Sequence, residues 1–261
     1  MEYNEHLVRE SARFADAIRQ AAPEAAVPSC PGWTADDLLW HLGQVQYFWG
    51  TVVLDAADGT TAEQRTPDRP AGRAALEDFY RQASERLAGS LAGADPAAHA
   101  WTWAPDQTVG FIQRRQAHEA LIHRVDAELA AGRRTPLDPR LAADGVDEGL
   151  RVMYGGCPPW GTITPEPGRT LRIRATDSGD TWLVTLARFT GTDPEDGKSY
   201  DEPDIHIAAS DTGEAVMAEI SGTASDLDCW LWNRDPPGPV TQSGDQPVLG
   251  GLGAIINSPI N

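Results

Sequence analysis

Cationic side chains are scarce in this chain, and lysine is almost missing from it. Lysine and arginine together number 21 against 39 aspartates and glutamates, which gives a formal net charge of −18, and Lys198 is the single lysine. Nucleic-acid binding depends on clustered Lys and Arg side chains that neutralise phosphates. The charge balance therefore argues against a nucleic-acid-binding protein.

Long apolar runs are also missing. No stretch approaches the roughly 18 consecutive apolar residues that a membrane-spanning helix needs. The first five residues, MEYNE, lack the basic region and apolar core of a signal peptide. We therefore expect neither a membrane partner nor secretion.

Cysteine is rare, and its spacing excludes several kinds of site. Cys30, Cys157 and Cys229 form no CxxC pair, and their odd number leaves one unpaired under any disulfide scheme. Reduced thiols in a cytoplasmic protein are the economical interpretation. Because no base stands beside Cys30 in the sequence, we expect a buried structural thiol there rather than a nucleophile.

Apolar side chains recur at helical spacing in four segments of the first half. The predicted helices span residues of about 4–21, 34–55, 74–91 and 110–131, the last closed by Gly132, with connections at 58–72 and 95–109. Four long helices with one long connection fit a bundle, in which metal sites are built from facing helices. We assign residues 1–134 to a four-helix bundle.

After residue 135 the pattern changes to short alternating segments. Strands are predicted at 171–175, 182–186, 205–207 and 215–220, helices at 141–154 and 225–233, and a glycine-rich turn at 250–253 near the chain end. We assign residues 135–261 to a small α+β domain. The predicted fold class is therefore α+β with two domains.

Glu119 and His123 are four residues apart in a predicted helix. That spacing places them within roughly 40° of each other, one turn apart on one face, where both can bind one metal ion. His118 and His123 are five apart, so they do not form the histidine pair of a zincin helix. On its own, the Glu119–His123 pair is weak evidence for a metal site, because an exposed polar pair is the more common interpretation of this spacing.

His41 supplies a third candidate ligand. Its helix starts after a Pro-Gly turn, with Thr34 as N-cap and Asp37 as a capping-box acid. His41 shares a face with apolar residues and should point inward, either as a hydrogen-bonded core residue or as part of a His₂Glu site with an open fourth position. Asp126, three residues after His123, is a candidate acceptor for the other imidazole N–H, or a solvated helix acid.

Three segments resemble one known family. They are residues 30–43, with Cys-Pro-Gly-Trp-Thr and Trp-His-Leu-Gly; 115–128, with Arg-x-x-x-Glu-x-x-x-His-Arg-x-Asp-Ala-Glu; and 227–234, with Leu-Asp-Cys-Trp-Leu-Trp-Asn-Arg. In this order, and over nearly the whole chain, they are similar to the actinobacterial mycothiol-dependent maleylpyruvate isomerase family. That family has a DinB-like metal-binding four-helix bundle and a small C-terminal domain. Asn233 departs from the family, which commonly has glycine there.

The resemblance implies a divalent metal bound by His41, Glu119 and His123, with Zn²⁺ preferred and Ni²⁺, Fe²⁺ or Mn²⁺ as alternatives. It also implies mycothiol as a thiol cosubstrate. A coordinating thiol is deprotonated, and its addition to an electrophilic alkene permits cis–trans isomerisation or, if the adduct is kept, S-transfer. Arg234 would bind a substrate carboxylate through its fork of donors; the alternative is that it caps its own helix.

We therefore expect a cytoplasmic enzyme, a monomer or homodimer, that acts on a small electrophilic substrate. Two other functions stay open. A metal-dependent hydrolase would use the same three ligands to activate water. A non-enzymatic metal- or ligand-binding protein of the same superfamily would hold the ion without turnover.

Overall fold

Five helices form the N-terminal unit, Met1–Pro136. The computed structural model describes residues 1–208 and 215–258. The four long helices are those predicted from apolar spacing, and the last of them ends just before Gly132, whose φ is +68°. The helices are α1 (Tyr3–Ile18), α2 (Ala35–Asp55), α3 (Gly59–Gln64), α4 (Arg73–Leu91) and α5 (Val109–Ala130).

The short helix α3 corrects the prediction that residues 58–72 are a polar loop. The Asp58 side chain accepts a hydrogen bond from the Thr61 backbone N–H and so caps the helix at its N-terminus. With only six residues, α3 is too short to show an apolar period. The Asp58 cap marks the start of the helix, and the fully buried Ala62 packs it against the apolar core of the unit.

Helix α2 begins with the capping box that the sequence predicts. The Thr34 hydroxyl accepts from the Asp37 backbone N–H at 3.2 Å, and the Asp37 carboxylate accepts from the Thr34 backbone N–H at 2.9 Å. The pKa of Asp37 is lowered to about 2, mainly because the Thr34 hydroxyl donates to the carboxylate at 2.7 Å, and further by the Thr34 backbone N–H and by Arg69. The cap sets where α2 starts, and with it the position of His41 two turns further on.

Helix α5 packs against α1 and α2 and is buried on all sides. Among its fully buried side chains is Arg124, whose Nε donates to Glu10 on α1 at 3.0 Å and whose Nη1 donates to Glu128 at 3.1 Å. Thr135 also contacts both charges, since its hydroxyl accepts from Arg124 and donates to Glu128. Through these hydrogen bonds, the Arg124 cluster joins α1 and the segment after α5 to one face of α5.

The C-terminal unit, Leu137–Asn261, contains a five-stranded sheet with helices. The strand order is β3-β2-β1-β4-β5, with β1 and β4 parallel and the other neighbours antiparallel. A helical unit followed by a sheet with helices confirms the predicted α+β class. The elements are α6 (Pro139–Glu148), a π-helical stretch (Gly149–Tyr154), β1 (Gly161–Ala175), β2 (Thr181–Thr192), β3 (Ser199–Ile207), β4 (Ala218–Gly222), α7 (Ala224–Leu231), β5 (Thr241–Gly244) and α8 (Gln246–Ile256).

Helix α8 corrects a second prediction, because residues 250–253 are helical and not a turn. The Asp245 side chain accepts from the Val248 backbone N–H and caps the helix. Gly251 allows a close approach to β2, since a Cβ at this position would lie 2.4 Å from Cδ1 of Leu186. Gly251 therefore serves packing and not chain reversal, while a Cβ at Gly250 or Gly253 would meet nothing within 4 Å. The sequence also missed β5, a strand of four residues whose side chains are all exposed.

None of the helices within residues 1–208 and 215–258 combines the length and the apolar character needed to cross a membrane.

The Arg124 cluster predicts a large loss of stability when its cation is removed. Arg124→Ala removes the buried cation that Glu10 and Glu128 share, although Glu10 keeps the partly exposed Arg9 and Arg13. Breaking a buried ion pair typically costs about 3–5 kcal/mol of unfolding free energy, and we expect the lower end of this range. Urea unfolding of the metal-free protein measures the change. Arg81→Ala is the control, because Arg81 pairs with Asp78 and Glu85 on the exposed face of α4 and should change stability little. If Arg124→Ala and Arg81→Ala lower the unfolding free energy by equally small amounts, the Arg124 cluster does not stabilise the fold.

Candidate metal centre

The three sequence-predicted ligands meet in the first unit. His41 comes from α2, and Glu119 and His123 come from α5, and one ligand atom of each lies within 4.8 Å of the others. Oε1 of Glu119 is 3.1 Å from Nε2 of His123 and 3.5 Å from Nε2 of His41. Among the described residues, no other group of three His, Cys, Asp or Glu side chains comes this close together.

These distances suit one tetrahedral ion. Two donors that are each about 2.1 Å from such an ion lie about 3.4 Å apart, and the two separations from Oε1 of Glu119 bracket that value. The three ligand atoms as a set lie within 4.8 Å, so a small rotation of the imidazole rings brings all of them to binding distance. Two imidazole nitrogens and one carboxylate oxygen form the His₂Glu set of catalytic zinc sites, which leaves a fourth position for water or substrate. The donor set therefore fits a divalent metal.

Asp126 orients His123. Nδ1 of the imidazole is 2.9 Å from Oδ2 of Asp126, whose carboxylate is fully buried. A carboxylate accepts only, so Nδ1 carries the proton, and in the neutral ring the lone pair then lies on Nε2, which faces Glu119. Of the two interpretations that the sequence left open for Asp126, the structure shows the buried acceptor and not the solvated acid.

Arg115 holds the other oxygen of Glu119. Its Nη2 donates to Oε2 at 3.0 Å, and its side chain is almost fully buried. One Glu119 oxygen therefore faces the histidines while the other faces a guanidinium. Sequence reasoning missed this role, although the spacing of four between Arg115 and Glu119 on one helix was the available signal.

The charges around Glu119 and His123 stabilise each other. Burial alone would lower the pKa of His123, but the carboxylates of Glu119 and Asp126 outweigh it and raise the pKa to about 9. Burial alone would raise the pKa of Glu119, yet His123, His41 and Arg115 hold it well below its usual range. In the metal-free protein, a proton on His123 therefore occupies the coordination site that a metal needs.

His118 does not join this group. It is buried on another face of α5, and its ring contacts the ring of Tyr3 with a centroid separation of 6.3 Å. This placement agrees with the spacing argument that excluded a zincin pair.

Arg234 follows the end of α7 in the second unit. Asn233 has the left-handed φ of +57°, and the backbone N–H groups of Asn233 and Arg234 donate to the carbonyls of Trp230 and Cys229. This is a Schellman helix end, in which asparagine can replace glycine. The Arg234 guanidinium donates to the Trp232 carbonyl at 2.6 Å, so the capping contact is present.

Comparison with known proteins covers both units. The family model described as the mycothiol maleylpyruvate isomerase N-terminal domain matches residues 5–128, and the model described as the MDMPI C-terminal domain matches residues 140–251. The crystal structure of the mycothiol-dependent maleylpyruvate isomerase is similar over 94% of this chain and 95% of that chain, with a TM-score of 0.57 at 12% identity. A histidine-to-alanine mutant of that isomerase is similar over the same shares with the same TM-score, at 11% identity. A search of curated proteins found no match.

The ligand geometry predicts about one divalent ion per chain. Glu119→Ala or His123→Ala should remove most of that metal while the helices stay folded, because their apolar faces remain buried. Elemental analysis of the purified variants, with circular dichroism as the folding check, measures both properties. His99→Ala is the control, since His99 is exposed and should keep the metal content unchanged. Full metal retention in both ligand variants would refute the assignment.

The raised pKa of His123 predicts that zinc competes with a proton. Below about pH 9 the metal-free imidazole is protonated, so zinc binding at pH 7 should release about one proton, and the apparent affinity should rise about tenfold per pH unit until pH 9 is reached. Calorimetric titration of zinc in two buffers with different ionisation enthalpies counts the proton. A binding enthalpy that is independent of the buffer at pH 7 would contradict the prediction.

Proposed function

The chain belongs to the mycothiol maleylpyruvate isomerase family, and from this we propose that it is a metal-dependent enzyme that uses mycothiol as a thiol cosubstrate. Its reaction is an isomerisation or S-transfer on a small electrophilic substrate. The proposed setting is the cytoplasm, where such a thiol stays reduced. A monomer or homodimer remains the expected assembly.

The observation that carries the proposal is the meeting of His41, Glu119 and His123 at donor distances that fit one ion. Zinc is preferred for a His₂Glu set with an open position, with nickel, iron(II) and manganese(II) as alternatives. A divalent ion held there lowers the pKa of a coordinating thiol, so that the sulfur reacts as a thiolate at neutral pH.

The surrounding side chains suit an anionic sulfur. Arg115, Glu119 and Asp126 together carry one formal negative charge, so a dication leaves the centre with one positive charge to attract a thiolate. By accepting from Nδ1, Asp126 keeps the His123 Nε2 lone pair available. By holding Oε2, Arg115 favours binding of the ion through Oε1 alone.

A thiolate beside an activated alkene supports both proposed reactions. Addition of sulfur to one alkene carbon converts the double bond into a single bond, about which the substrate can rotate. Loss of the sulfur then restores the double bond in the other geometry. If the carbon–sulfur bond is kept and the neighbouring carbon takes a proton, the product is a thioether.

A hydrolase is the second candidate, since an open position on the same ion can activate water. A protein that binds the ion without turnover is the third. Both would be independent of mycothiol, and the next experiment separates them from the thiol-dependent enzyme.

Cobalt replacement tests thiol binding directly. In the Co²⁺ protein, added mycothiol should produce a thiolate-to-metal charge-transfer band in the near ultraviolet, because the fourth position accepts sulfur. The Glu119→Ala protein, given the same cobalt and mycothiol, is the control. It shows whether cobalt and mycothiol produce the band in solution, away from the proposed site. An unchanged spectrum at saturating mycothiol, together with turnover in the absence of any thiol, would favour the hydrolase.

For Arg234 we propose a carboxylate clamp, in addition to the capping contact with Trp232. Arg234→Lys keeps the positive charge but loses the planar fork of donors. A clamp predicts an activity loss of roughly 100-fold or more, the size of losing a charge-assisted bidentate contact, with unchanged metal content and thermal stability. Steady-state kinetics on an electrophilic carboxylate such as maleylpyruvate measure the loss, and a fully active Arg234→Lys enzyme would show that Arg234 serves only as a cap.

A further inference from the structure

The loop before α2 contacts the surroundings of both histidine ligands. Residues 27–33, called the 27–33 loop below, lie between α1 and α2. Three backbone hydrogen bonds close it: the Val27 N–H donates to the Trp33 carbonyl, the Cys30 N–H to the Val27 carbonyl, and the Trp33 N–H to the Cys30 carbonyl, at 3.0–3.1 Å. Such a ladder of short-range bonds gives the loop one defined conformation.

The loop is also anchored in the apolar core. Val27 is 2% exposed, and Cys30 and Trp33 are partly buried against the cluster that contains residues of α1 and α2. Gly32 has a φ of +84°, a left-handed conformation that glycine adopts without strain. The side chains of the loop therefore stand on a fixed backbone.

One contact leads to His123 through Asp126. The Ser29 hydroxyl donates to Oδ1 of Asp126, and Sγ of Cys30 lies 3.7 Å from Oδ2, the oxygen that accepts from His123. Asp126 is fully buried, and a buried carboxylate without donors would be strongly destabilised. Ser29 and Cys30 thus hold the orientation of the carboxylate that in turn orients the ligand imidazole.

The other contact leads to His41. The Trp33 ring lies against the His41 ring, with centroids 4.9 Å apart and planes at 59°. The His41 side chain is about one third exposed, and the ring of His123 lies against it as well, with centroids 4.8 Å apart. The indole limits the rotamers of His41 and keeps Nε2 near Oε1 of Glu119.

We propose that the 27–33 loop is a positioning element for the metal centre, which orients His123 through Ser29, Cys30 and Asp126, and His41 through Trp33. The proposal rests on the metal site of the proposed function and adds the residues that set its affinity and geometry. In this proposal Cys30 is a hydrogen-bond donor to Asp126, a role that the sequence did not suggest.

The test compares variants that lose the donor side chains of Ser29 and Cys30 with variants that have another donor at the same positions. Ser29→Ala/Cys30→Ala removes both donors that the loop supplies to Asp126, whereas Ser29→Thr keeps the hydroxyl donor and Cys30→Ser replaces the thiol donor with a hydroxyl. Outer contacts of this kind typically change metal affinity by about 10–100-fold, and we expect the low end, about tenfold weaker zinc binding, for the double variant. The two conservative variants should stay near the wild-type affinity. Competition with a chromophoric chelator measures the zinc dissociation constant.

Trp33 gives an independent arm of the same test. Trp33→Leu removes the ring beside His41, and Trp33→Phe keeps an aromatic ring there. The leucine variant should weaken zinc binding and shift the visible ligand-field bands of the Co²⁺ protein, and the phenylalanine variant should largely restore both. A role limited to folding would lower the melting temperature without moving the cobalt bands of the protein that remains folded.

Two controls make the outcomes distinguishable. Ser90→Ala on α4, where the hydroxyl donates to the Leu87 carbonyl, and Cys157→Ala in the second unit should change neither zinc affinity nor the cobalt spectrum. If the wild-type protein binds no zinc, the proposed function fails together with the loop's role. If the wild-type protein binds zinc, Glu119→Ala does not, and the loop variants match the wild type in affinity and spectrum, then only the positioning role is overturned.

Discussion

Helix α5 is buried on all sides, yet it carries charged groups on two of its faces. In a low-dielectric interior each of these charges must be paired, because an isolated buried ion is too costly to keep. On one face Arg124 pairs with Glu10 of α1. On the other, Arg115, Glu119 and His123 form a row at spacings of four residues. Rotating or sliding α5 would break the contact of Arg124 with Glu10 on α1 and the contact of Glu119 with His41 on α2. These two contacts between helices fix the helix that supplies two of the three proposed ligands.

This arrangement explains why the centre can be assembled before it holds an ion. Without metal, a proton on His123 balances the carboxylates of Glu119 and Asp126, while Arg115 supplies the second positive charge. In the proposed metal site, a dication would take the place of this proton between the same side chains. The site is thus preorganised by charge balance, and its selectivity depends on how firmly the histidines are oriented by the groups outside the ligand set.

Sequence patterns predicted what depends on local spacing. The four long helices, the Thr34 cap and the Glu119–His123 pair all follow from residues within one or two turns of each other. The contacts of Ser29 and Cys30 with Asp126 join residues almost a hundred positions apart, and no local pattern encodes them. Helix α3 was missed because six residues show no apolar period. Helix α8 was missed because a glycine-rich segment resembles a turn, although Gly251 permits close packing within a helix.

The complete ligand set, with Asp126, Arg115 and the 27–33 loop, lies within Met1–Pro136. Domains of a nascent chain generally fold as units, the N-terminal one first, during synthesis at roughly 5–20 residues per second. The helical unit can therefore fold, and bring the proposed ligands together, while the sheet-containing unit is still being translated. In the proposed metalloenzyme, metal uptake would not have to wait for release of the finished chain.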